Sequence, residues 1–188
     1  RLVDIKSLAT QFTIGYLQAF EGEKDPRNLL LIFSTVTSML AILPISHLAE
    51  DVFESLAVYF PVDFTPPSGL VGSVTKQQLV EGLRQGLAHP RLAEWTIGLL
   101  LEKLESDLES AKVDSLQTLL ELVSRCGERE GEGREIWARE VEGVWTALKR
   151  ETMGVRMQPS KEVIDLAGQA VKEVSRLLGT VIGLGTPE

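Results

Sequence analysis

Apolar residues recur in this chain at steps of three and four, the spacing that puts side chains on one face of an α-helix. Val113, Leu116, Leu120 and Val123 follow at offsets of 3, 4 and 3. Val163, Ala167, Ala170, Val174 and Leu177 follow at 4, 3, 4 and 3. Trp137, Val141, Val144, Trp145 and Leu148 form a third such stripe, and Ile5, Leu8, Phe12 and Tyr16 a fourth. No segment alternates like a strand for long, and "VGSVT" is too short and Gly-rich to count. The pattern predicts an all-α chain of eight helices.

Local signals place the ends. Asp25-Pro26 reads as an N-cap followed by proline in the first turn, where no amide bond is lost. Helices are therefore expected from about Asp4 to Phe20, Pro26 to Leu43 (before Pro44) and Ser46 to Tyr59. Thr75-Lys76-Gln77-Gln78 and Ser106-Asp107-Leu108-Glu109 have the spacing of capping boxes. The fourth helix is expected over Lys76 to Ala88, the fifth over Arg91 to Glu105 and the sixth to about Arg125. Odd-numbered helices then begin near 46, 91 and 134, an interval close to 44 residues. Two helices per such period is the signature of the HEAT/armadillo class. One pair cannot bury its apolar face alone, so neighbours must stack. The expected architecture is a single α-solenoid segment over 1–188, of about four antiparallel HEAT-type pairs near 4–43, 46–88, 91–125 and 134–178. Arg27 and Lys112, near the starts of second helices, are candidates for ion pairs bridging successive turns.

Composition narrows the function. A net charge of -8 argues against an electrostatic grip on nucleic acid, which needs a basic stripe. Twelve acidic residues face six basic ones between Leu101 and Glu142, a solvated helix face or a surface for a basic partner. The stretch Asn28 to Ala49 carries no charge, but Ser34, Thr35, Thr37 and Ser38 interrupt it and Pro44 cuts it. It reads as a buried helix and not a membrane span. No signal-peptide pattern stands at Arg1, and a lone cysteine rules out an intrachain disulfide, which favours a cytosolic or nuclear setting.

Catalytic and cofactor chemistry finds no motif. Cys126, His47 and His89 are scattered over separate helices, too few for an iron–sulfur cluster or a zinc site. Cys126 reads as a buried thiol, and the histidines as structural or exposed. There is no nucleophile elbow and no phosphate-binding glycine motif after a strand. "GLVGS" is a weak phosphate candidate, and Glu128, Glu130 and Glu132 lie in a Gly-rich loop unsuited to acid–base work. No enzyme and no cofactor is expected.

That leaves the connector "YFPVDFTPP", Tyr59 to Pro67. Pro61, Pro66 and Pro67 fix φ and stiffen it. Phe60 and Phe64 either fold down as packing or stand as a docking surface, and Asp63 suits a turn that bonds its own amides. The candidate protein-binding residues are Phe60, Pro61, Asp63, Phe64, Pro66 and Pro67.

"GEKDPRNLL", "YFPVDFTPP" and "SAKVDSLQTL" together resemble the N-terminal region of the MMS-nineteen (yeast Met-eighteen) family, in register from about Asp4 to Leu178. The resemblance implies part of a large HEAT-repeat adaptor of the cytosolic iron–sulfur assembly targeting complex. That family is associated with handing clusters to client enzymes such as DNA helicases and polymerases. It is also linked to nucleotide excision repair, RNA polymerase II transcription and, in fungi, a heterochromatin-silencing partner. The implied partners are proteins, with no direct nucleic acid and no membrane, in cytoplasm and nucleus. The resemblance carries over no functional residue. An unrelated HEAT/armadillo scaffold of transport or phosphatase type, or a small helical enzyme, is the alternative.

Overall fold

The computed structural model describes residues 2–65, 73–128, 134–153 and 159–181. Among these the chain is all-helical, as the periodicity predicts. The helices are α1 (Leu2–Ala19), α2 (Pro26–Ile42), α3 (Ala49–Ala57), α4 (Lys76–Leu87), α5 (Ala93–Leu104), α6 (Glu109–Glu128), α7 (Arg134–Met153) and α8 (Lys161–Val181). Short 3-10 turns at Ser46–Leu48 and Pro90–Leu92 lead into α3 and α5. The chain divides into two compact units, Arg1–Leu92 and Ala93–Glu188.

In the first unit α4 packs on both α2 and α3. Phe33, Val36, Leu40, Leu56, Leu79 and Leu83 form its core, each at most 1 % exposed. Gly86 permits the close approach, since a Cβ there would meet Leu56 Cδ1 at 3.0 Å. Helix α2 begins as expected: Asp25 Oδ1 accepts from the Arg27 amide at 2.9 Å and Pro26 fills the first position. One face of its uncharged run is core, through Ile32, Phe33, Val36, Met39 and Leu40, while Leu31 and Ile42 are exposed, and two of the hydroxyls within it are satisfied locally. Thr37 and Ser38 donate to the carbonyls of Phe33 and Ser34. Among the described residues no helix is long and apolar enough to cross a membrane. At its C-terminus the Arg91 guanidinium donates to the carbonyls of Leu40 and Leu43 at 2.7 and 2.8 Å, filling acceptors that a helix end leaves open. The Thr75–Gln78 capping box forms with both reciprocal bonds.

The α1 stripe is corrected. Ile5, Leu8 and Phe12 are exposed and Tyr16 is half-buried, while Ala9, Thr13, Leu17 and Phe20 face the core. Periodicity marks an apolar face but not the side on which the neighbours stand. Gly22, at φ +75°, makes the turn into α2.

In the second unit α5 packs on α6 and α7, and α8 packs on α6 and α7. First helices thus meet first helices and second helices meet second helices, the stacking order of HEAT-type pairs. Glu94 binds Arg139 at 2.8 Å and Glu105 binds Arg150 at 3.0 Å, each pair 45 residues apart. A constant separation means that α5 and α7 run parallel and in register. All five α8 stripe residues are buried. On α7, Trp137, Val144 and Leu148 are buried, but Trp145 is 37 % exposed and Val141 only half-buried. Helix α6 packs on both α5 and α8, so its buried belt is wider than the predicted stripe and includes Ser115, Leu119, Leu122 and Cys126, while Val113 and Leu120 are half-buried.

Two further expectations are corrected. The Ser106 hydroxyl accepts from the Leu108 amide at 3.1 Å, so α6 opens at Glu109 and not behind a capping box. Arg27 pairs with Asp25 in its own turn at 2.8 Å, and among the described residues it bridges to no other helix. Lys112 does bridge, to Glu151 near the end of α7 at 2.8 Å, with the two side chains only 18 % and 8 % exposed.

That pair is the costly one to break. Glu151→Ala strands the Lys112 ammonium and is expected to lower stability by about 3 kcal/mol. Arg139→Ala, on the exposed Glu94 pair, is expected to cost under about 1 kcal/mol. Urea denaturation of the two variants checks the ranking, and equal losses would contradict it.

Candidate protein-binding cleft

The connector after α3 is pinned by its first residue. The Tyr59 and Phe60 amides donate to the carbonyls of Leu56 and Ala57 at 3.1 and 3.0 Å, tightening the helix end. The Tyr59 ring sits edge-on to Phe33, with centroids 5.7 Å apart at 69°. Its hydroxyl donates to the Glu23 carbonyl at 3.3 Å. The Phe60–Pro61 peptide bond is cis.

Glu23 organises the facing turn. Its Oε1 accepts from the Lys24 and Asp25 amides at 2.7 and 2.8 Å, and its Oε2 from Asn28 Nδ2 at 2.8 Å. Between this turn and the connector lies an open cleft of about 350 Å³. Leu29, Phe33, Pro61, Val62, Phe64 and Leu79 supply its apolar lining; Glu23, Lys24 and Asp63 stand beside them. An apolar recess edged by a few polar groups is the usual form of a recognition site.

The structure therefore brings Pro61, Asp63 and Phe64 together. Phe60 is half-buried and lies outside the lining, and Asp63 is exposed. Pro66 and Pro67 lie outside the described residues. The sequence reading missed Tyr59 as the anchor, and missed that "GEKDPRNLL" supplies the opposite wall. The available signal was that both blocks contain turn residues in an otherwise helical region. The proximity itself is tertiary and has no local signature.

Hydrogen bonding sets the titration of this corner. The Asp25 amide, then Asn28 and the Lys24 amide, hold the Glu23 carboxyl below its ordinary value. The Arg27 side chain and amide pull Asp25 down to about 2. Burial, reinforced by Glu23, pushes the Tyr59 phenol up.

Other candidates come apart. Among the described residues no group of three or more His, Cys, Asp or Glu is placed to hold a metal ion. Cys126 is buried in α6. His89 is buried and its Nδ1 accepts from the Arg91 amide at 3.2 Å, while His47 Nε2 lies 2.9 Å from Thr10 Oγ1. Glu128 closes α6, and Glu130, Glu132 and most of "GLVGS" lie outside the described residues.

Fold and cleft together define an all-helical HEAT-type repeat protein with an apolar recess at one of its turns. Residues 2–154 match the family described as "Dos2-interacting transcription regulator of RNA-Pol-II". The chain belongs to this family. It is 37% identical over 169 residues to the MMS19 nucleotide excision repair protein homolog of Xenopus tropicalis, covering 89% of this chain and 16% of that protein. The Homo sapiens homolog is 36% identical over 169 residues, 89% of this chain and 15% of the relative. The MMS19 nucleotide excision repair protein of Drosophila melanogaster is 34% identical over 176 residues, 93% of this chain and 17% of the relative. The chain thus spans about a sixth of the length of these relatives. No solved structure matches it.

The lowered carboxyls fix a sign for pH. Folded values below the ordinary 4.5 and 3.8 mean stability that is full above those values and lost as pH falls through the folded ones. The α1–α2 turn is thus expected to weaken from about pH 4.5 toward pH 2. Asp25→Asn should flatten the lower part of that fall in acid denaturation followed by circular dichroism. An unchanged slope would contradict the assignment.

Proposed function

We propose that this chain is a non-catalytic interaction segment of an iron–sulfur cluster targeting adaptor, and that the Tyr59–Phe64 cleft is one of its docking sites. The supporting observation is the convergence of two turns on one apolar recess that is open, while Tyr59 holds its frame. Phe64 is only half-buried there. A side chain that served packing alone would be expected to close the recess it lines. A framed aromatic loses little entropy when a partner covers it.

Its partners on this reading are proteins: a Dos2-type silencing factor, assembly factors, and iron–sulfur client enzymes such as DNA helicases or polymerases. Its role lies in nucleotide excision repair, DNA metabolism and RNA polymerase II transcription, in both cytoplasm and nucleus. It holds no cofactor and makes no direct contact with nucleic acid or membrane. The four helix pairs acting as one solenoid segment over 1–188 belong to the same proposal, supported by the pairwise stacking within the second unit.

Affinity capture of a Dos2-type partner and of an iron–sulfur helicase, by the chain and by its Phe64→Ala variant, tests the cleft. The expected loss of affinity is about 2 kcal/mol, roughly thirtyfold, with melting nearly unchanged. A stability loss of about 3–5 kcal/mol with binding intact would assign Phe64 to packing instead.

A further inference from the structure

A second recess lies on the other side of the Val58–Tyr59 ridge, between α1 and α3. It is a groove of about 350 Å³ built from two matched rows. Helix α1 and its end contribute Ile14, Leu17, Gln18 and Glu21; α3 and its end contribute Asp51, Glu54, Ser55 and Val58. Both rows follow the i, i+3, i+4, i+7 spacing of one helix face. Each α3 residue stands 37 positions after its α1 counterpart, the same separation as the Thr10–His47 contact. The Thr10–His47 contact before the rows and the Tyr59–Glu23 bond after them set the two helices running in the same direction, and the groove is about two helical turns long, roughly 10 Å.

Its chemistry is one-sided. Leu17 and Phe20, 9 % and 6 % exposed, form the floor, and Ile14 and Val58, 41 % and 76 % exposed, the apolar walls. Glu21, Asp51 and Glu54 line it with no Lys, Arg or His among the lining residues. Local helix energetics account for Asp51, which sits in the first turn of α3 where the dipole favours a carboxylate. They do not account for Glu21. It follows the C-terminus of α1, where the dipole disfavours negative charge, and its amide bonds back to the Gln18 carbonyl at 3.4 Å.

We propose that this groove docks a short amphipathic segment of a partner protein, with apolar anchors against Ile14, Leu17 and Val58 and Lys or Arg flanks meeting Glu21, Asp51 and Glu54. The segment is helical, because the paired rows offer the straight two-turn trough that a helix face fills. The inference rests on the reading of this chain as a protein-interaction segment, but it concerns a different surface from the Phe64 cleft.

The probe is a fluorescent amphipathic Leu/Lys peptide of about fourteen residues, about four helical turns. A Leu/Glu peptide of the same pattern is its control. Anisotropy titrations use the 188-residue chain, a groove variant (Asp51→Lys with Glu54→Lys) and a remote variant of equal charge change on α7 (Glu135→Lys with Glu142→Lys). The Leu/Lys peptide is expected to bind the native chain. The groove variant should weaken it at least about tenfold and the remote variant less than about twofold, with salt weakening the native complex. Amide shifts of the native chain should change along 14–21 and 51–58, a readout that holds even where a variant fails to fold. No saturable binding, equal binding of the Leu/Glu peptide, equal loss in both variants or shifts confined elsewhere each overturns the proposal. Loss of Dos2-type capture by Phe64→Ala with a negative peptide result removes the groove and leaves the interaction segment standing. Peptide binding with partner capture unaffected by Phe64→Ala does the reverse for the cleft.

Discussion

A helix pair has two faces to hide and one partner helix to hide them with. Burial of an apolar stripe removes roughly 25 cal/mol per Å² from the unfavourable side of the balance, so the uncovered face draws in the next pair. In the second unit this requirement is met layer by layer, α5 on α7 and α6 on α8. The two ion pairs at a separation of 45 residues record the result as a parallel register. In the first unit the second helices stack likewise, α2 on α4.

Register determines where surface chemistry accumulates. Parallel first helices place whole rows side by side, so the carboxylates and aliphatics that each row carries become a single trough. The turns within helix pairs carry backbone groups needing partners, and here they find them in Glu23, Asp25 and Tyr59. The carboxylate of Glu23 is taken up by amides and so frames the cleft wall. Cleft and groove share Val58 and Tyr59, so one residue pair at the end of α3 separates two recesses of different character.

Helix number, fold class and most caps were legible in the sequence, because they depend on short-range spacing. Asp25, Thr75 and the α8 stripe stand where periodicity put them. What failed was directional. The Ile5–Phe12 stripe is apolar and on one face, yet solvent takes it, and α6 opens at Glu109, later than a box capped by Ser106 implies. The Lys112 bridge was anticipated, but its partner Glu151 lies 39 residues away and could not be named from local pattern. The cleft was half legible: Pro61, Asp63 and Phe64 were singled out, while Tyr59, Leu29 and Phe33 gained meaning only when α2 and the connector met. The parallel rows of the α1–α3 groove were invisible for the same reason, since neither row is unusual alone.

Parallel, registered stacking of first helices is the claim on which the surface reading stands, and paired spin labels measure it directly. One doubly labelled chain carries labels at 94 and 139, the other at 105 and 150. The account predicts the same short distance in both. Antiparallel stacking of α5 and α7 would put at least one of the pairs about 16 Å or more apart along the helix axes, the rise of eleven helical residues, and would contradict it.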